Sequence, residues 1–326
     1  MRTIALLILT AAAANAASPI DSAIQTSQGV GTQGRLSAYA HRGGPGNGET
    51  VPELYPGENR DVGPQMLVMP QARKVYFEAG VDMQYYYTSN ALLTESGNTD
   101  TGVLLSTAYL GLAPTPFDLW GGKFAWRAGY KQQAYNYGFD KTSNQLNNLD
   151  FTIGTVYLNG RFTFLDNWTA SLGMDYNRYL SFETSFDEFY TEAMPQWSLE
   201  RTIQVNDRCY ISLGYFGSYH LTHTDPLPTT NINDRLDSVF LITSVHQLTE
   251  KLILQPFYRF QHSHYTENSD RNDITNTFGV ALAYLINDWS SVRVFTSYEV
   301  RDSSDSAIPD YGKWDTGGGV SVSVRF

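Results

Sequence analysis

From Lys74 onward the chain repeats one pattern: short runs in which every second residue is apolar. In KVYFEAGVDMQYYY, Phe77, Ala79, Val81, Met83 and Tyr85 alternate with Glu78, Gly80, Asp82 and Gln84. In NWTASLGMDYN, Trp168, Ala170, Leu172, Met174 and Tyr176 alternate with Thr169, Ser171, Gly173, Asp175 and Asn177. KLILQPFYRFQ, NTFGVALAYLI and SVRVFTSYEVR repeat the arrangement. Successive side chains of a strand point to opposite faces, so each run is a strand with one apolar and one polar or small face. No stretch carries a sustained helical period, and the chain reads as all-β.

The pattern predicts twelve strands, near 75–87, 101–112, 122–136, 149–163, 168–180, 188–200, 208–220, 235–247, 251–263, 275–286, 290–301 and 316–326. Pro195 falls inside the sixth. The connections alternate in length. FLDNW, QLTEKL and LINDW are tight, whereas residues 88–100, 223–235, 267–273 and 301–313 form longer polar loops.

A soluble sandwich also alternates, but three features oppose it. The apolar faces run for five positions or more, longer than the usual soluble strand, and about ten residues are needed to cross a bilayer at a tilt. The opposite faces are rich in Gly, Ser, Gln and charge, which suits a wet interior. Aromatics collect at segment ends (Tyr85 to Tyr87, Tyr135, Tyr137, Trp168, Tyr176, Tyr284, Trp289, Trp314 and Phe326), as amphipathic rings do at the two interfaces of a membrane. Lipid offers the backbone no hydrogen-bond partners, so such a sheet must close on itself. The expected fold is a transmembrane antiparallel up-and-down β-barrel of about twelve strands. An even count puts both chain ends on one side, with the short turns, and the long loops on the other.

The N-terminus differs from the rest. MRTIALLILTAAAANAAS has one positive residue, about a dozen apolar ones and the small-x-small site Ala14-Asn15-Ala16. That is the layout of a cleaved signal peptide, residues 1–16. Residues 17–73 are rich in Gly, Pro and charge and show no period, and so read as an irregular leader. It serves as a spacer, a plug or a tether. The barrel occupies 74–326. Cys209 is the only cysteine, so no intramolecular disulfide forms although the chain is exported. A net charge of -11 opposes nucleic acid as a partner.

The chain ends in GGGVSVSVRF. Val320, Val322, Val324 and Phe326 share one parity. This ending resembles the C-terminal signature of Gram-negative outer-membrane β-barrel proteins, which are porin-like in architecture. The resemblance implies an outer-membrane location, contact with outer-membrane lipid and lipopolysaccharide, and reading of Val322, Val324 and Phe326 by the barrel-assembly machinery. It identifies an architecture and a compartment, not an activity.

With the apolar parity toward lipid, the interior receives Glu78, Asp82, Gln84, Arg127, Lys131, Asp175, Asn177, Gln255, Arg259, Gln261, Arg293, Glu299 and Arg301. A charge on the lipid face near the midplane would cost about 2–4 kcal/mol. Glu78, Asp82, Arg127, Lys131, Asp175, Arg259, Arg293, Glu299 and Arg301 are therefore the candidate pore-lining residues. Two readings compete: a polar channel for small hydrophilic solutes, or ion pairs that fill the interior and let nothing pass. Eight strands give a filled barrel and sixteen an open one. Twelve lies between.

The stretch FQHSHY invites a catalytic reading, but His262 and His264 share the lipid parity while Ser263 points inward. A metal site from His220, His223, His262 and His264 is weaker, because His220 is inward and His223 is expected in a loop. No P-loop, GxSxG, HExxH or EF-hand pattern is present. No cofactor, metal or enzymatic activity is expected. A porin-like channel is the leading expectation, followed by a non-conducting surface barrel and then a lipid-modifying enzyme.

Overall fold

The computed structural model describes residues 75–95, 99–138, 146, 149–165, 167, 168–182, 186–224, 233–267, 271–287 and 289–325. The signal peptide, the leader, and Phe326 of the terminal signature lie outside the described residues. The elements are β1 (Val75–Thr88), β2 (Thr101–Pro114), β3 (Phe117–Leu119), β4 (Gly122–Tyr137), β5 (Phe151–Phe164), β6 (Trp168–Ser181), β7 (Glu188–Asn206), β8 (Cys209–Thr224), β9 (Arg235–Gln247), β10 (Leu252–Tyr265), β11 (Asn272–Asn287), β12 (Ser290–Ser303) and β13 (Tyr311–Arg325).

Twelve of these form a closed antiparallel ring. β1 pairs with β2 on one side and β13 on the other. β2 pairs with β4, and the remaining strands follow in sequence order. β3 continues the line of β2 past a break. Leu112 faces Ala128 and Phe117 faces Phe124, so five steps on one strand oppose four on the other. This bulge keeps Leu112 and Phe117 on the same outer face despite their opposite parity. Pro114 and Pro116 flank the break, where a missing N–H costs least.

The predicted parity holds around the ring. Val81, Met83, Leu110, Val156, Leu158, Leu172, Met174, Phe278 and Val294 point outward and are 50–71% exposed. An apolar belt of this extent, on a sheet with no free edge, is the outside of a membrane-spanning barrel. Val322 lies in it, opposite Val81 across the β1–β13 seam.

Several boundaries differ from the sequence reading. β7 runs to Asn206, β11 begins at Asn272, and β13 begins at Tyr311 rather than near 316, so the loop expected at 301–313 shrinks to 304–310. His223 lies in β8, not in a loop. Pro195 is accommodated because β7 skips pairing with β8 at 194 and 195 without changing register. Pro256 does the same between β10 and β9.

The glycine run of β13 serves the inner wall. Gly317 lies between Tyr86 of β1 and Phe295 of β12, whose rings approach to 6.2 Å across it. A Cβ on Gly317 would sit 2.3 Å from the Tyr85 carbonyl oxygen and 2.4 Å from Tyr86 Cβ. Only a residue without a side chain fits that approach.

Candidate functional site

The interior of the ring is the candidate site, and its two halves differ. Toward the short turns it is lined by small or polar groups, among them Ala125, Ser171, Ser198, Ser212, Ser291 and Ser321. Here Arg127 meets Glu78 at 3.6 Å while 62% of its side chain stays exposed. Lys123, also inward, is exposed as well. The exposed inward groups of this half lie on β4, whereas Ser198, Ser212 and Ser291 are buried and Val245 and Ile253 form a small apolar cluster at the β9–β10 end.

Toward the long loops the interior is filled. One wall is aromatic. Tyr86, Tyr135, Tyr137, Phe151, Tyr179 and Tyr190 are each at most 6% exposed and belong to one buried cluster. Tyr135 stacks on Phe151 at 4.6 Å, and Tyr179 meets Tyr190 edge-on at 5.0 Å. Ala91, Leu146 and Leu149, from the β1–β2 and β4–β5 connections, join the same cluster. This corrects the placing of Tyr86, Tyr135 and Tyr137 in an outer girdle: all three face inward. Of the Tyr85–Tyr87 triplet, only Tyr85 and Tyr87 face outward, at 50% and 45% exposure.

The opposite wall is charged, and its groups meet in contact. Arg293 donates to Asp82 at 2.8 Å and, across Gly319 of β13, to Gln84 at 2.7 Å. Glu299 accepts from Tyr311 at 2.9 Å and from Thr277 at 3.1 Å, with Lys313 3.3 Å away. Arg259 donates to Gln261, which donates to Ser263 at 2.9 Å. Arg301 is fully buried, stacks over Tyr311 at 4.5 Å and donates to the Pro309 carbonyl at 2.6 Å. Lys131 and Asp175 face inward and are half-buried. All nine charged candidates thus lie on the inner face.

Sequence reasoning missed the group with the densest contacts. His220 Nδ1 lies 3.0 Å from Glu192 Oε2, and its Nε2 lies 3.0 Å from Asp237 Oδ2. Arg235 donates to Asp237 at 3.2 Å. Asn177 donates to Glu192 at 2.8 Å and accepts from Thr155 at 2.7 Å. A continuous polar chain therefore runs from β5 to β9. The one available signal was parity: Glu192, His220, Arg235 and Asp237 all fall on the inner register of their strands. Above this chain Arg271 pairs with Asp273 at 2.6 Å and lies over Tyr265 at 4.0 Å.

Ser218 Oγ lies 3.2 Å from His220 Nε2, a nucleophile–base spacing. Carboxylate oxygens face both ring nitrogens, however, and they only accept. The ring has no lone pair free for Ser218. Ser263 faces inward on β10, as expected, opposite Asp237. Among the described residues no group of three or more His, Cys, Asp or Glu side chains is placed to hold a metal ion.

The β1–β2 connection folds toward the interior. Asn90, fully buried, donates to the Thr94 carbonyl at 2.8 Å and to the Gly312 carbonyl at 3.3 Å, and accepts from Thr94 N–H at 3.1 Å. Leu93 packs on Tyr311 in a small buried cluster.

No protein-family model matches the chain, and no curated protein sequence does. Solved structures similar to it are bacterial barrels. The β domain of the Bordetella autotransporter BrkA is 9% identical with a TM-score of 0.45, covering 77% of this chain and 100% of that one. The KdgM porin is 11% identical with a TM-score of 0.38, covering 74% and 98%. The translocator domain of the autotransporter NalP from Neisseria meningitidis is 12% identical with a TM-score of 0.39, covering 77% and 89%. The closure of the ring rests on its own strand pairing, not on these likenesses.

Proposed function

We propose that this chain is an outer-membrane barrel of a Gram-negative envelope, working as a porin-like channel for small hydrophilic solutes that is shut at its long-loop end in this conformation. The supporting observation is the make-up of the seal. It combines an aromatic wall with residues that belong to connections rather than to strands: Ala91, Leu93, Leu146 and Leu149. A seal made partly of loops opens without breaking the ring. The exposed inward cations Arg127 and Lys123 support the same reading, because a barrel that only scaffolds its loops needs no exposed charge on its inner face.

A second reading has its own observation. The inner charges neutralise one another, as Arg293 does Asp82 and Lys313 does Glu299. A filled, non-conducting barrel that displays its loops would look the same in that half.

One experiment separates the two. The refolded protein is placed in a planar bilayer, as it is and with residues 90–95 replaced by a short Gly/Ser turn. The channel reading expects rare or small conductance from the first and frequent, larger steps from the second. Silence from both would overturn it in favour of the filled barrel.

A further inference from the structure

Two short turns hold a bulky apolar residue where the backbone least favours one. Trp120 has φ +48° and Gly121 φ +78°, between the paired residues Leu119 and Gly122. Two successive left-handed residues make a hairpin turn for which Asn-Gly is the preferred pair. Leu165, in the β5–β6 turn, has φ +46°. Large side chains are outliers in this region. Neither recovers the strain by packing, since Trp120 is 89% and Leu165 75% exposed. The turns alone would favour smaller residues.

Both tips extend the lipid-facing surface. Phe117 and Phe124 are a cross-strand pair on the outer face, with rings 5.4 Å apart. Phe162 lies opposite Phe124 and stacks with Phe164 at 5.6 Å. Leu165 follows Phe164 directly. The apolar surface therefore runs unbroken from the outer belt over the edge of the barrel and onto the tips. The β7–β8 and β9–β10 turns carry charge, Asp207-Arg208 and Glu250-Lys251, while Leu248 and, in the β11–β12 turn, Trp289 add exposed apolar groups at ordinary backbone angles. Among the described short turns, a bulky apolar residue at positive φ occurs only in the sector between β3 and β6.

We propose that the Trp120 and Leu165 turns are embedded in the lipid leaflet on the short-turn side and anchor this sector of the barrel there. Continuity with the lipid-facing belt selects lipid as the occupant. An indole suits the boundary, with an apolar body and one N–H for the headgroup layer. The proposal rests on the reading of the barrel as membrane-spanning.

The test attaches an environment-sensitive NBD fluorophore to single cysteines in a Cys209→Ala background. The sites are Trp120→Cys, Leu165→Cys, Val156→Cys as a mid-belt control and Glu250→Cys as a charged-turn control. Each is reconstituted into vesicles of phosphatidylethanolamine and phosphatidylglycerol, and proteins that resist protease are kept. Quenching by aqueous iodide is compared with quenching by nitroxide-labelled lipid. The proposal expects the labels at 120 and 165 to behave like that at 156, with iodide quenching several-fold weaker than at 250. If 156 is shielded while 120 and 165 quench like 250, the anchor is refuted and the patch awaits a protein. If 156 itself is open to iodide, the membrane-spanning reading fails instead. Should either cysteine variant fail to fold, Trp120→Phe supplies the second measurement. Its emission difference from the unaltered protein must show nitroxide-lipid quenching, and iodide quenching of that difference overturns the anchor.

Discussion

His220 holds Glu192 and Asp237 apart on one imidazole, with each ring nitrogen 3.0 Å from a carboxylate oxygen and all three side chains at most 4% exposed. The ring is the joint between β7 and β9. Replacing it with leucine leaves two buried carboxylates that share Arg235 as their neighbouring cation. Removing one partner of a buried ionic group costs about 3–5 kcal/mol. His220→Leu should therefore lower the unfolding midpoint of the detergent-solubilised barrel strongly. Asn177→Ala, which removes only one donor to Glu192, should lower it by less. Equal losses, or none, would show that the chain of contacts does not hold this wall.

The seam makes a second claim. Gly317→Val would drive side-chain atoms into Tyr85 and Tyr86, where a Cβ already finds atoms at 2.3–2.4 Å. Overpacking of this kind costs about 1–3 kcal/mol. Gly121, where a Cβ meets nothing within 4 Å, tests the converse. Gly121→Asn tolerates the same left-handed backbone and should leave stability nearly unchanged. Denaturant unfolding of both variants measures the contrast.

Asn90 makes a third. Its amide satisfies three backbone groups in a buried setting, two of Thr94 and one of Gly312. Asn90→Ala removes all of them at once, at about 1–3 kcal/mol for each buried group left without a partner. The β1–β2 connection should then open toward solvent. Hydrogen exchange of residues 89–95 should quicken by tenfold or more, while exchange in the mid-strand amides of β1 stays slow. Unchanged exchange in the loop would mean that Leu93 packing, not Asn90, holds it.

A fourth contrast probes the solvent on the two faces. Val156 is 57% exposed on the outer face, and Arg127 is inward with its side chain 62% exposed. The two exposures are similar, yet lipid and water answer differently to charge. Val156→Arg should cost about 2–4 kcal/mol in a bilayer, the penalty of a cation at the midplane. Arg127→Ala should cost no more than about 1 kcal/mol, since a solvated ion pair contributes little. Reversible unfolding in vesicles compares them, and near-equal losses would contradict the sidedness of the barrel.

The architecture was legible because alternation is a local signal. Twelve runs of alternating residues, an even count and turns of two lengths led to the ring without any knowledge of pairing. The interior was less legible. Parity says which residues face inward, but not what they meet. Arg293 reaches Gln84 because Gly319 between them has no side chain, and that relation joins residues 209 positions apart. The aromatic wall was misread for another reason. Tyr86 shares the inward register of Gln84, and Tyr135 and Tyr137 share that of Arg127 and Lys131, but rings at strand ends were assigned to a girdle by position rather than by parity. The end of β3 was invisible because a bulge breaks the alternation it would have been found by.

The pairing of β1 with β13 couples the first described strand to the last. Until Tyr311–Arg325 has been synthesised and delivered, Val75–Thr88 has no second partner, and its free edge is open to any other extended segment nearby. Shutting the ring must then be a late event, governed by how quickly two distant ends of one polypeptide find each other. A cell that makes this protein has to keep unfinished copies apart during that interval.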